Sequence, residues 1–161
     1  MRIKIMVALL ALIIALLNHS IYQKEQIKKS GQTLLLELIP IDPRSLTQGD
    51  YMQLRYAVES KVPIKEIENY SGYIVVKPDE NNVAQFVRVY AGENLASDEK
   101  LLHFYKSQYS FLQLRPNSFF FQEGHAKYYQ DAKYGIFKFN GAKDYLLVEL
   151  ANAERVQIEA K

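Results

Sequence analysis

"DYMQLRYAV", residues 50–58, decides the fold class. Met52, Leu54, Tyr56 and Val58 fall on one side of an extended chain, and Tyr51, Gln53, Arg55 and Ala57 on the other. Side chains in a strand alternate between two faces, so this period-two pattern predicts a half-buried β-strand. The first set is the expected core face and the second the accessible one. The preceding residues, "PIDPRSLTQG" (40–49), deliver the chain into that strand. Pro40 and Pro43 each hold φ at about −65°, and Asp42 ahead of Pro43 is a good turn starter. Gly49 supplies a permissive backbone just before the strand. The segment reads as a rigid loop, and rigid loops often present binding groups.

Outward from this point the chain continues to read as β. Upstream, "TLLLELI" (33–39) is an expected strand buried on both faces. Downstream, "VPIKEIENY" (62–70) predicts a short helix begun after Pro63. "GYIVVK" (72–77) and "VAQFVRVY" (83–90) predict a hairpin across the turn-rich "PDENN". Leu101 to Arg115 should hold one or two strands, and "SFFFQEG" (118–124) a short aromatic strand ending at Gly124. His125, Tyr128, Tyr129 and Ala132 then recur at helical spacing. "YGIFKF" (134–139) and "DYLLVEL" (144–150) predict a second hairpin turning at Asn140–Gly141, with "RVQIE" as a closing strand. Twelve tyrosines and eight phenylalanines against no tryptophan agree with a pleated, aromatic-rich sheet. The expected fold is mainly β, a barrel-like or strongly bent antiparallel sheet of seven to nine strands with one or two short helices.

The N-terminus is of a different kind. "MRIKIMVALLALIIALLNHSIYQKE" opens with Arg2 and Lys4 and runs through 13 uninterrupted apolar residues, Ile5 to Leu17. From Ile3 to Tyr22 there are 20 residues, or about 30 Å of helix, enough to cross a bilayer. Lys4 could snorkel at one edge and Tyr22 sit at the other. No small-x-small cleavage site follows, so a retained anchor is expected rather than a cleaved signal. The polar "YQKEQIKKS" should carry the helix onward to Gly31. The expected organisation is an anchor and juxtamembrane helix over 1–30 and a β-rich domain over 31–161. Arg2 and Lys4 favour a cytoplasmic N-terminus, placing the domain outside a cytoplasmic (inner) membrane.

The formal charge of +2 divides unevenly. Residues 1–30 hold Arg2, Lys4, Lys24, Lys28 and Lys29 against Glu25, a net of +4, which leaves the rest of the chain at −2. The domain has no cationic excess with which to neutralise phosphates, so nucleic acid is not an expected partner. Cysteine is absent, which removes disulfides, thiol nucleophiles and thiolate metal sites.

Candidate chemistry is sparse. Arg44, Asp50, Tyr51, Gln53 and Arg55 make a polar patch for a ligand or partner. Asp42, Asp50 and Glu123 each sit at a loop–strand junction, and paired carboxyls at about 5–10 Å are what glycoside hydrolysis needs. Tyr128, Tyr129 and Tyr134 near Glu123 could stack on sugar rings. Ser45 lies four residues ahead of Gly49, with no particular lysine marked as its base, so a serine–lysine peptidase is a weak reading. His19, His103 and His125 are isolated, with no HxH or HExxH spacing, and neither a metal nor a cofactor is expected. No phosphate-binding glycine motif and no nucleophile elbow occurs.

Gly49-Asp50-Tyr51-Met52-Gln53-Leu54-Arg55-Tyr56 matches every named position of the motif after which the GDYXXLXY proteins are called, and the chain resembles that family. The resemblance extends to "LLLELIPIDPRSLTQGDYM" and to "FFFQEGHAKYYQDAKYGIFKF". It implies a membrane-anchored domain of unknown function, often encoded beside a polytopic membrane protein, with no established catalytic residues. It also implies that the Asp42–Tyr56 and Gln122–Gly124 blocks share one surface. On this reading Pro43, Gly49, Leu54, Tyr56 and Gly124 shape the motif. Asp42, Arg44, Asp50, Tyr51, Gln53, Arg55, Glu123 and Tyr128 form the interaction surface. We expect an accessory subunit rather than an enzyme; the alternative is an envelope glycan-binding or hydrolytic domain using Asp42, Asp50 and Glu123.

Overall fold

The computed structural model describes residues 2–39, 51–64, 67, 69–106 and 111–159. The chain begins with one long helix, α1 (Arg2–Ser30). Its apolar residues lie on every side, and those from Ile3 to Ile21 are all exposed. A helix apolar all round normally lies in a core or a bilayer. It is long and apolar enough to cross a membrane. Only at its end does it meet the domain, where Ile27 is buried.

Gly31 stops the helix, its N–H donating to the Ile27 carbonyl at 2.9 Å. A side chain there has no room: a Cβ would stand 2.4 Å from the Ile27 carbonyl oxygen and 3.0 Å from that of Phe139. Both obstacles are backbone, so Gly31→Ala must tilt the helix against the sheet. We expect a loss of about 1–3 kcal/mol, read as a lower urea midpoint and faster amide exchange at Ile27.

The chain then enters nine strands among the described residues: β1 (Gln32–Glu37), β2 (Tyr51–Gln53), β3 (Ser71–Pro78), β4 (Ala84–Val89), β5 (Lys100–Lys106), β6 (Leu112–Leu114), β7 (Ser118–Phe120), β8 (Tyr134–Asn140) and β9 (Asp144–Ala151). They pair as β1-β8-β9, β4-β3-β5-β6 and a ribbon of β2 with β7, every ladder antiparallel. Both expected hairpins form. The β3–β4 turn is held by Asp79, whose carboxylate accepts the N–H groups of Asn81 and Val83 at 2.8 and 2.9 Å. The β8–β9 turn passes through Gly141 at φ +73°.

Seams between the groups close a strongly curled, half-barrel sheet. Leu35 in β1 bridges Val83 and donates its N–H to Asn82 at 2.8 Å. Leu101 in β5 donates to Ala142 in the β8–β9 turn at 2.7 Å. Register shifts at Val75/Val76 and at Ile136/Phe137 add local twist, which helps the sheet curl. Inside lie Leu36, Ile74, Leu102, Phe104, Leu114, Phe137, Phe139 and Leu150, all close to fully buried. Along β8 the buried residues Gly135, Phe137 and Phe139 alternate with partly exposed ones.

Three local expectations need correction. The alternation at 51–58 holds in burial, but the ladder ends at Gln53 and a 3₁₀ helix takes over at Ala57–Lys61. Extended backbone carries the faces through Leu54 and Tyr56 without a full strand partner; Tyr56 has only a bridge to Leu38. The expected helix after Gly124 is one 3₁₀ turn, Ala126–Tyr128. "RVQIE" does fold back on β9, but as a single bridge, Ala151 to Gln157. The turn at Asn152–Val156, with Arg155 at φ +65°, uses up the chain that a longer ladder would need. The expected helix at 62–70 lies partly outside the described residues; within them the Ile67 N–H closes a turn onto the Ile64 carbonyl at 3.2 Å.

Candidate functional site

The motif divides into an inward and an outward half. Leu54 and Tyr56 point into the core, where Tyr56 is 0% exposed. Its phenol donates to the Pro116 carbonyl at 2.6 Å, and its ring meets Phe137 edge-on at 5.7 Å. The Leu54 N–H donates to Asn117 at 2.8 Å, and the Arg55 carbonyl accepts the Ile39 N–H at 2.9 Å. The polar groups of this half are thus tied to the chain before β7 and the chain after β1.

The outward half lies on the β2–β7 ribbon. Tyr51 pairs with Phe120, Met52 with Phe119 and Gln53 with Ser118. Met52 and Phe119 turn inward against the core. Tyr51 and Phe120 turn outward and pack against each other, their rings tilted by 40° with 5.7 Å between centres. Phe120 is 72% exposed and Tyr51 45%. A phenylalanine so exposed beside a second ring on a short ribbon is an apolar patch held in place by pairing.

Beyond the ribbon, Phe119 and Phe121 flank the Tyr129 ring at 5.2 and 5.4 Å. The Tyr129 phenol reaches Glu149 at 3.5 Å. Burial pushes the Glu149 carboxyl up, and burial, with the Glu149 charge second, does the same to the Tyr129 phenol. Gly124 takes φ +81° in the turn closed by the His125 N–H to Gln122 at 3.0 Å. Glu123 on that turn is exposed, and Tyr128 carries His125 and Lys127 against its ring. Asp42, Pro43, Arg44, Gly49 and Asp50 lie outside the described residues.

One residue absent from the sequence-based set proves central. Glu59, on the 3₁₀ helix three residues after the motif, is only 3% exposed. Its Oε1 accepts the buried Leu114 N–H at 2.8 Å. Its Oε2 stands 3.8 Å from Arg55 Nε and accepts no hydrogen bond among the described residues. Burial pushes this carboxyl up, opposed by the Leu114 and Tyr56 amides and by Arg55. Arg55 itself spreads over the Phe111 ring at 5.4 Å, so the cation sits between a ring and a buried acid. In the sequence the alternating stretch ends at Val58, and nothing local marks the next residue, Glu59, as buried.

A separate set stands on the outer face of β3 and β5. His103 lies between Tyr73 and Tyr105, at 5.0 and 4.6 Å. Lys143 covers Tyr73 at 4.7 Å and Arg115 covers Tyr105 at 4.4 Å. Partial burial, then Arg115 and Lys143, hold the imidazole below its usual range. Elsewhere Arg88 grips both oxygens of Glu99 and one of Glu93, clamping the 91–99 loop. Among the described residues no three His, Asp or Glu side chains are gathered as a metal site would require.

Fold and site together define a small curled β domain carried on an apolar N-terminal helix, its motif half core and half exposed aromatic ribbon. The chain belongs to the GDYXXLXY family, whose model, described as "GDYXXLXY protein", matches residues 13–150. The match begins inside α1, so part of the apolar helix belongs to the family's pattern. No curated protein and no solved structure matches the chain.

Proposed function

We propose that this protein is a single-pass protein of the cytoplasmic membrane, with residues 31–161 as an extracytoplasmic domain that docks on a polytopic membrane protein of the cell envelope as an accessory subunit. The paired, exposed rings of Tyr51 and Phe120 carry the reading. Aromatic side chains held rigid on a ribbon lose little entropy on binding and are the usual anchors of protein interfaces. The helix contributes the location, since it offers apolar residues on every side and buries almost none of them in the domain. Around the pair we place Gln53, Arg55, Glu123 and Tyr128 as the described part of the docking surface, with Asp42, Arg44 and Asp50, which precede it in the sequence, as its further members.

The test is photo-cross-linking in cells from Tyr51 and Phe120, followed by mass spectrometry. A discrete adduct with a multi-span membrane protein is expected, and Tyr51→Ser with Phe120→Ser should reduce yield from a probe at Gln53 at least tenfold. Because both rings are exposed, these changes should each shift folding stability by no more than about 0.5 kcal/mol. Capture of glycan, or a single free species in mild detergent with no adduct, would overturn the proposal.

A further inference from the structure

A cavity of about 550 Å³ lies between the end of α1 and the β8–β9 turn. Tyr22, Lys24 and Ile27 line it from the helix, and Asn140, Lys143 and Asp144 from the turn. We propose that this cavity holds the phosphate of an anionic membrane lipid between Lys24 and Lys143. The inference rests on the reading of α1 as a membrane anchor.

Position argues first. If the apolar span ends at Tyr22, Lys24 stands about 3 Å beyond it along the helix and Ile27 about 8 Å. The headgroup layer on each side of a bilayer is about 5–8 Å thick, so the cavity spans that layer. Ile27 is buried where α1 packs on β8 and β9, which brings the turn between those strands to this height. The domain therefore rests with one turn among the headgroups, and this is why a lipid, rather than a soluble phosphate, is the occupant chosen.

Chemistry argues second. Lys24 and Lys143 are exposed lysines on two different elements, facing one space. The Lys143 ammonium lies 4.7 Å from the centre of the Tyr73 ring, and binding the phosphate draws it from that ring into the cavity. Tyr145, also in the wall, is fixed through its hydroxyl, which accepts the His103 N–H at 3.0 Å and donates to the Arg115 carbonyl at 2.8 Å. Asp144 reduces the charge of the lining to a net +1, which matches a single phosphodiester. Ser20, Gln23 and Gln26 add donors for the oxygens that remain. Cations placed at the headgroup level are the recurring means by which proteins select anionic lipid.

The experiment uses the full chain purified in mild detergent, stripped of lipid and offered dioleoylphosphatidylglycerol or dioleoylphosphatidylcholine, with bound lipid read by native mass spectrometry. The unmodified protein should retain the anionic lipid at one copy and at least fivefold over the zwitterionic one. Lys24→Gln combined with Lys143→Gln should lower that retention about tenfold or more. Lys133→Gln, which removes the same kind of charge just before the far end of β8, should leave it unchanged. Equal retention by the double variant, equal loss in Lys133→Gln, or no preference between the lipids would overturn the proposal, as would displacement by an equal concentration of inorganic phosphate. Carbonate extraction of cell membranes tests the anchor separately: all variants should stay in the membrane pellet. A wild-type protein released by carbonate would remove the anchor itself, whereas loss of lipid selectivity in a pelleted protein removes only the lipid site.

Discussion

Tyr56→Ala is expected to lower the unfolding free energy by about 3–5 kcal/mol, the range for deleting a large aromatic from a packed core. The ring is fully buried and meets Phe137 edge-on at 5.7 Å. Tyr56→Phe keeps the ring and removes only the hydroxyl. It leaves the Pro116 carbonyl without that donor, at a cost of about 1–2 kcal/mol. Urea unfolding of the full chain in detergent, followed by tyrosine circular dichroism, separates the two. If Tyr56→Ala fell within about 1 kcal/mol of the unmodified protein, the last position of the motif would not be structural. Together with the near-neutral changes expected at Tyr51, this divides an eight-residue motif into a half that folds the domain and a half that faces outward.

Glu59 gives the second large effect, and it depends on pH. Its folded carboxyl titrates above the ordinary 4.5 because burial disfavours the anion. Below 4.5 the group is protonated whether the chain is folded or not. As pH rises from 4.5 through the folded value, the unfolded chain loses its proton first, so stability falls across that window and then levels. Glu59→Gln keeps an acceptor for the Leu114 N–H and cannot ionise. The advantage of the variant over the unmodified protein should therefore be absent below pH 4.5, grow above it and reach a plateau. Glu59→Ala loses the acceptor as well, leaving a buried amide unpaired, and should be about 1–3 kcal/mol less stable than Glu59→Gln at every pH. Urea midpoints from pH 3.5 to 8 decide this. A difference between Gln and Glu that did not change with pH would show that the carboxyl titrates normally.

The opposite limb belongs to Glu99, brought down to about 2, chiefly by its hydrogen bonds from Arg88. What it contributes is present above the ordinary 4.5 and is lost as pH falls towards 2. Glu59→Gln should leave this acid limb untouched, since Glu99 lies in the Arg88 clamp and not beside Leu114.

These predictions fall where sequence and structure divide. The alternation of Met52, Leu54 and Tyr56 against Tyr51, Gln53 and Arg55 is local, and it sets faces correctly even where the ladder stops. The two hairpins are legible for the same reason: their turn residues and strands are neighbours in the chain, so little loop closure is needed. The helix, its apolar surface and its stop at Gly31 are likewise written in consecutive residues. The pairing of Tyr51–Gln53 with Ser118–Phe120 is not, because a three-residue strand carries no address for a partner so far along the chain. Glu59 is buried only because β6 passes above it and offers the Leu114 N–H. Lys24 and Lys143 share a cavity only because Gly31 turns the chain so that β8 and β9 lie beside the helix they never meet in sequence. Local patterning by itself determined which residues are extended, which faces are apolar and where the long helix ends; the closure of the curled sheet alone decided which of those faces meet, because contacts between distant segments form only where packing outweighs the entropy of bringing them together.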